Sequence, residues 1–169
     1  MKTFFLCLSL TAAAISSYAA SPLGECVSKL YSYLPGSNDA AKTRAVEICA
    51  RNVSADELIS CSDKVYALLP VDGNDVKSRA IDMCLDMISS GVTPAALQKC
   101  SERLYQYLPG SGDLLRVRTL QMCRRGLDAE AVVACAEEIY EQLPGSGDAV
   151  KEQALAVCVE TRRPHRPRP

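Results

Sequence analysis

The segment CVSKLYSYLPGSND, residues 26–39, recurs along this chain and decides its fold. Residues 100–113 read CSERLYQYLPGSGD, and residues 135–148 read CAEEIYEQLPGSGD. Residues 61–75, CSDKVYALLPVDGND, are a divergent copy that we align with one extra loop residue before its last aspartate. The copies begin 35, 39 and 35 residues apart, a period at which each unit is one supersecondary element stacked on its neighbours. The sequence therefore predicts four tandem repeats.

Each repeat carries two cysteines 23 positions apart: Cys26 and Cys49, Cys61 and Cys84, Cys100 and Cys123, Cys135 and Cys158. Pairing between successive repeats would give unequal spacings of 12, 16 and 12 residues and would leave the first and last of these cysteines alone. Pairing within each repeat joins two positions that lie about 12 to 15 Å from the turn of an antiparallel helical hairpin. We therefore expect one disulfide in each repeat.

Residues 1–19 have the charged start, short apolar core and small-residue cleavage site of a secretory signal peptide. Their apolar run is shorter than the roughly 20 residues of a membrane-spanning helix, and no later stretch comes close. Removal of this segment removes Cys7 and leaves eight cysteines, an even number typical of a disulfide framework in an exported protein. We expect a secreted or periplasmic protein that begins at Ala20 and has no transmembrane segment.

Each repeat also carries the start and stop signals of two helices. The first helix has apolar residues on one face, as in Leu97, Cys100, Leu104 and Leu108, and it ends before a proline. The second helix starts near an aspartate, at Asp39, Asp75, Asp113 or Asp148, and has apolar residues before its cysteine, such as Ala45, Val46 and Ile48. A residue that tolerates the left-handed conformation then ends it, and a capping residue starts the next repeat: Asn52 and Ser54, Gly91 and Thr93, Gly126 and Asp128.

The predicted fold is all-α, with four disulfide-stapled helical hairpins stacked as a short α-solenoid. The repeats span residues 20–52, 53–91, 92–126 and 127–161, and an Arg/Pro-rich flexible tail spans residues 162–169. In unit length and helix-turn-helix content, the chain resembles tetratricopeptide and Sel1-type repeats. The resemblance is one of architecture, because the residue signatures of those families do not occur in the segments quoted above. It assigns no functional residue.

Tyrosine and arginine recur at fixed places in the repeats. A tyrosine follows each first cysteine by five residues (Tyr31, Tyr66, Tyr105, Tyr140), and an arginine precedes three of the second cysteines by five (Arg44, Arg79, Arg118). These positions lie level in an antiparallel hairpin, so that ring and guanidinium could stack or form a hydrogen bond. We interpret the row as a repeated packing contact, with a groove for a peptide or an anionic ligand as the alternative.

Catalytic and metal-binding signals are sparse. The single histidine, His165, lies in the tail, and the sequence has no C-x-x-C redox motif, nucleophile elbow or Gly-rich phosphate loop. Sulfur atoms cluster at Met83, Cys84, Met87 and Met122, and thioether with thiolate suits Cu(I), but methionine on an apolar helix face is typically a core residue. Asn52-Val53-Ser54 is a glycosylation sequon if the host is eukaryotic. We expect no cofactor.

Net charge alternates along the repeats, with +1, −4, +4 and −7 for the four units in order and +4 for the tail. Alternating signs favour attraction between neighbouring repeats, or docking surfaces at the acidic fourth repeat and the basic end. We predict that four tail arginines contact an anionic partner: Arg162, Arg163, Arg166 and Arg168.

The sequence thus favours an exported, non-enzymatic, monomeric repeat protein that binds a protein or an anionic surface, without specific binding of nucleic acid. Two alternatives stay open at this point. One is a periplasmic or extracellular copper-handling protein that uses reduced cysteines and methionines, and the other is an enzyme of unknown chemistry.

Overall fold

The computed structural model describes residues 21–161, which form eight α-helices and no strand. The helices are α1 (Pro22–Tyr33), α2 (Asp39–Cys49), α3 (Ala55–Leu68), α4 (Asn74–Ser90), α5 (Pro94–Tyr107), α6 (Asp113–Cys123), α7 (Ala129–Gln142) and α8 (Asp148–Thr161). Successive helices pair as the hairpins α1–α2, α3–α4, α5–α6 and α7–α8, and the odd-numbered helices pack on one another in chain order. The predicted all-helical repeat fold is confirmed.

The joints between repeats are short because one helix ends and the next begins within a few residues. Asn52, Gly91 and Gly126 adopt positive φ angles of 58°, 68° and 81°, the left-handed conformation that ends a helix. Ser54, Thr93 and Asp128 then cap α3, α5 and α7, because each side chain accepts a hydrogen bond from a backbone amide three residues on. These are the end and start signals that the sequence predicts.

The second repeat differs from its neighbours at the end of its second helix rather than in its loop. Helix α4 begins at Asn74 with Gly73 before it, as α6 begins at Asp113 with Gly112 before it, so the two hairpin loops have the same length. The extra loop residue inferred from the sequence is therefore wrong. The 39-residue spacing arises because α4 has 17 residues, whereas α2 and α6 have 11.

A disulfide joins the two helices of every hairpin, with the pairing that the 23-residue spacing predicts. The bonds are Cys26–Cys49, Cys61–Cys84, Cys100–Cys123 and Cys135–Cys158, and the paired Cα atoms are 5.9 to 6.0 Å apart. In the chain-entropy model, a bridge across a loop of this size stabilises the fold by about 3 kcal/mol. Four intramolecular disulfides are typical of proteins in an oxidising compartment.

The hydrophobic core is continuous through all four repeats, and its outer edge is exposed on the first repeat. Leu30, Leu58, Leu97 and Leu104 are fully buried along the odd-numbered helices. In the second helices, Ile81, Leu120 and Leu155 are at most 3% exposed, whereas Val46 at the same position of the first repeat is 44% exposed. Val46 is exposed because no described residue packs on that face of the first repeat. Among the described helices, none has the length and apolarity needed to cross a membrane.

Candidate functional site

The recurring tyrosines close the hairpin turns. The hydroxyl oxygens of Tyr66, Tyr105 and Tyr140 accept hydrogen bonds of 3.1 Å from the amides of Gly73, Gly112 and Gly147, the last residues before the second helices. The bond from Gly112 is the main cause that lowers the pKa of Tyr105. In the first repeat, Asn38 stands where the others have glycine, and its side chain instead caps α2 by accepting from Ala41. The contacts of these tyrosines lie within their own hairpins.

Two of the recurring arginines, Arg44 and Arg118, bind carboxylates of the next repeat. Arg44 donates to Asp82 of the second repeat at 2.7 Å, and Arg118 donates to Glu152 of the fourth at 3.3 Å. Arg79 has no ion pair of this kind among residues 21–161, since the third repeat places Val117 and Gln121 rather than acids at the corresponding positions. The guanidinium groups lean across to the next repeat because its carboxylates attract them.

Further ion pairs follow the alternation of charge. Lys29 lies 3.0 Å from Asp56, and Arg103 lies 2.9 Å from Glu130, so basic first and third repeats meet acidic second and fourth repeats. Between the second and third repeats the order of charge is reversed. There Asp86, in the extension of α4, binds Arg124 at 2.9 Å and Arg125 at 3.2 Å.

A tyrosine fills the crevice between the first and second repeats. Tyr33 donates from its hydroxyl to Asp63 at 2.6 Å, and the Lys77 ammonium lies 3.9 Å from the centre of its ring. Burial, and then the hydrogen bond to Asp63, raise the pKa of Tyr33. The first helix of one repeat thus inserts a ring between an acid and a base of the next.

A tyrosine ring also fills the crevice between the third and fourth repeats. Tyr107 takes the place of Tyr33, and Lys151 lies 5.6 Å from the centre of its ring. Burial and then the negative charge of Glu137, the counterpart of Asp63, raise the pKa of Tyr107. Both outer interfaces therefore hold a tyrosine ring near a cation, but the buried Tyr107 hydroxyl has no hydrogen-bond partner among the described residues, whereas Tyr33 donates to Asp63.

The central interface, between the second and third repeats, lacks the inserted tyrosine ring and contains a groove of about 310 Å³. Leu68 stands where the outer interfaces have tyrosine, and α3 and α5 pack less closely than the other successive odd-numbered helices. The groove is lined by Ala67, Leu68, Gln98, Ser101, Glu102, Tyr105, Gln106, Arg116 and Leu120. Glu102 is the counterpart of Asp63, and Arg116 is the counterpart of Lys77. The residues that hold a tyrosine elsewhere thus face an open groove here.

The chemistry of this groove is that of a binding surface. Leu68 and Leu120 supply its apolar part, while Gln98 donates to Glu102 at 2.8 Å. Ser101 forms a buried 2.7 Å hydrogen bond with Thr119. The Arg116 guanidinium lies 5.6 Å from the centre of the Tyr105 ring, a cation–π distance. The lining combines an acceptor, a donor, an aromatic ring and an apolar floor, which is the mixture that ligand sites use.

A larger depression of about 620 Å³ lies at the start of α1 and α3, beside the Cys26–Cys49 disulfide. It is more open than the central groove. The basic residue in its lining, Lys29, already forms ion pairs with Asp56 at 3.0 Å and Glu25 at 3.4 Å. We favour the central groove as the candidate site because its polar groups converge on one place.

Several residues singled out in the sequence belong to the core or lie outside the described residues. All eight cysteines between residues 21 and 161 are in disulfides, which leaves none of these sulfur atoms as a thiolate for copper. Met83 and Met87 are fully buried. Residues 1–20 and 162–169 are not described, so the signal peptide and the contact by Arg162, Arg163, Arg166 and Arg168 stay predictions.

Comparisons of the chain with protein-family models, with curated proteins and with solved structures gave no match. The central groove therefore stands on its own geometry. The sequence signal for the groove is the position seven residues after the first cysteine of each repeat. It is Tyr33, Leu68, Tyr107 and Gln142 in the four repeats, and only the second repeat has an aliphatic residue there. The absence of one tyrosine predicts a groove only when the stacking of the repeats is known.

Proposed function

We propose that this chain is an exported, monomeric, non-enzymatic interaction module that binds a protein partner in the groove between its second and third repeats. The observation that carries this proposal is the position of Leu68, which leaves open a crevice that a tyrosine fills on either side. A protein that needed only a rigid stack would be served by three alike interfaces. The interface that lacks the tyrosine is also the central one, where a partner can contact both halves of the solenoid.

The disulfides support the same proposal. Each bridge joins the first helix of its hairpin to the C-terminal half of the second, so the walls of the groove belong to two units whose helices are covalently joined. Walls that are ordered before binding lower the entropy that association costs. Stapled walls are what a binding scaffold in an oxidising compartment requires.

A displayed library of random peptides tests the proposal. The oxidised chain should enrich peptides, and these should lose binding to the variant L68Y, because the introduced ring occupies the groove. The matched control is L23Y, which adds a tyrosine at an exposed residue of α1 outside the groove. The proposal fails if no peptide is enriched, or if the enriched peptides bind L68Y and the original chain equally well.

The arginines of residues 162–169 remain a separate proposal for contact with an anionic surface. Deletion of these residues should weaken binding to anionic lipid vesicles at low salt while leaving groove binding unchanged, since the screened attraction acts only over about 10 Å at 0.1 M salt. A lower melting temperature after deletion would instead place the tail in the fold.

A further inference from the structure

The central groove has the surroundings of a tyrosine site from which the tyrosine is missing. In the first interface, Tyr33 has a carboxylate at its hydroxyl, 2.6 Å away, and a cation over its ring, 3.9 Å away. The groove has the corresponding carboxylate in Glu102 and the corresponding cation in Arg116. Its own residue at the ring position, Leu68, is aliphatic and half-buried.

We infer that the groove receives the side chain of an exposed tyrosine from the partner protein. This inference rests on the function proposed above and names the chemistry that the groove selects. The incoming ring would lie against Leu68 and Leu120, its hydroxyl would donate to Glu102, and Arg116 would move from Tyr105 to the face of the new ring. The second and third repeats would then have the contacts that Tyr33 makes permanently in the first interface.

The size and charge of the groove favour tyrosine over other side chains. A volume of about 310 Å³ is at the low end of the range for small-molecule pockets and matches an anchor of one side chain. Phenylalanine would bring no donor to the Glu102 carboxylate. A phosphorylated or sulfated tyrosine would bring negative charge to that carboxylate, which is unfavourable.

The carboxylate is held in place for this role. Gln98, one helical turn before Glu102 on α5, donates to its Oε1 atom at 2.8 Å. An oriented acceptor loses less conformational freedom when a donor arrives. Tyrosine is also enriched among the residues that dominate binding energy at protein interfaces.

Binding of single-residue probes tests the inference. N-acetyl-tyrosinamide, N-acetyl-phenylalaninamide and N-acetyl-O-phosphotyrosinamide are titrated into the isotope-labelled, oxidised chain, and amide shifts are followed by NMR. We expect the tyrosine probe to shift Leu68, Glu102 and Arg116, and to bind about tenfold more tightly than the phenylalanine probe, as one more hydrogen bond to a charged acceptor predicts. The phosphorylated probe should bind more weakly than both.

Two variants assign the preference to the groove. E102Q should reduce the preference for tyrosine over phenylalanine to about fivefold or less, because the charged acceptor is replaced by a neutral one. The matched control is E137Q, which changes the same position of the fourth repeat, where Tyr107 already fills the crevice. If E102Q keeps the full preference, or E137Q reduces it equally, the inference is overturned.

The outcomes separate this inference from the proposed function. Displayed peptides that bind the groove without a tyrosine, or probes that bind equally, would refute the tyrosine site and leave the interaction module standing. A chain that binds neither probe nor peptide at Leu68 would refute both. Should L68Y fail to fold, the comparison of E102Q with E137Q still decides the question.

Discussion

The first and second interfaces of this solenoid are formed by equivalent positions of the repeats, but the crevice is filled in the first and open in the second. Between the first and second repeats, Tyr33 occupies the space between Asp63 and Lys77. Between the second and third, Leu68 leaves the space between Glu102 and Arg116 open. Both interfaces keep a carboxylate and a cation at these positions, and they differ in the side chain between them. In a repeat protein, a binding site can therefore arise where one copy loses a packing residue that the others keep.

Removing a disulfide should have the largest effect on this comparison. The double variant C100S/C123S should lower the free energy of unfolding by about 3 kcal/mol, because the third hairpin loses its bridge. Chemical denaturation measures this change, and the tyrosine probe reports on the groove. The control C26S/C49S removes the bridge of the first hairpin and should spare probe binding. Equal loss of probe binding in both variants would show that the groove does not depend specifically on the disulfide of the third hairpin.

Opening the first interface should have the next largest effect. Y33L should destabilise the chain by about 2 kcal/mol, since it removes a partly buried ring and a hydrogen bond to a carboxylate. Y33F is the control, because it keeps the ring and should cost only about 1 kcal/mol. Denaturation of both variants measures the difference. Unchanged stability of Y33L would mean that the ring does not close the first interface.

The ion pairs of the central interface should contribute less. D86N should lower stability by about 1 kcal/mol, because Asp86 is only 29% exposed and binds two arginines. D82N is the control at the first interface, where the carboxylate is 63% exposed and binds one arginine. Its effect should be below about 0.5 kcal/mol, the usual value for an exposed pair. A larger loss for D82N would reverse this ranking of the two interfaces.

Filling the groove should have the smallest effect on stability. L68Y should raise the free energy of unfolding by less than about 1 kcal/mol, since the new ring gains partners but stays near the surface. Thermal unfolding of the oxidised variant measures the change. A loss of more than about 1 kcal/mol would indicate overpacking, and the groove would then not be a vacant place for tyrosine.

The sequence predicts the hairpins well because their signals are local. Cysteine spacing, the turn residues and caps such as Ser54 act within one repeat, and all are found where expected. The extra loop residue is a wrong prediction because Asn74, and not Asp75, corresponds to Asp113, in agreement with the constant 23-residue cysteine spacing. The alternation of charge indicates attraction between neighbouring repeats, but it does not identify the partners, because residues such as Arg44 and Asp82 are 38 positions apart and meet only when the hairpins stack. The groove belongs to this second class.

The four disulfides also set how far this chain can be pulled. With the bridges intact, a load between Cys26 and Cys158 passes from each hairpin to the next and bypasses the 23-residue loops. Only the connections of 12, 16 and 12 residues can straighten, which limits the extension to about 140 Å plus the bridges themselves, against about 460 Å for the reduced chain. Under tension the oxidised protein is therefore a tether of limited length, and reduction would raise its contour length about threefold.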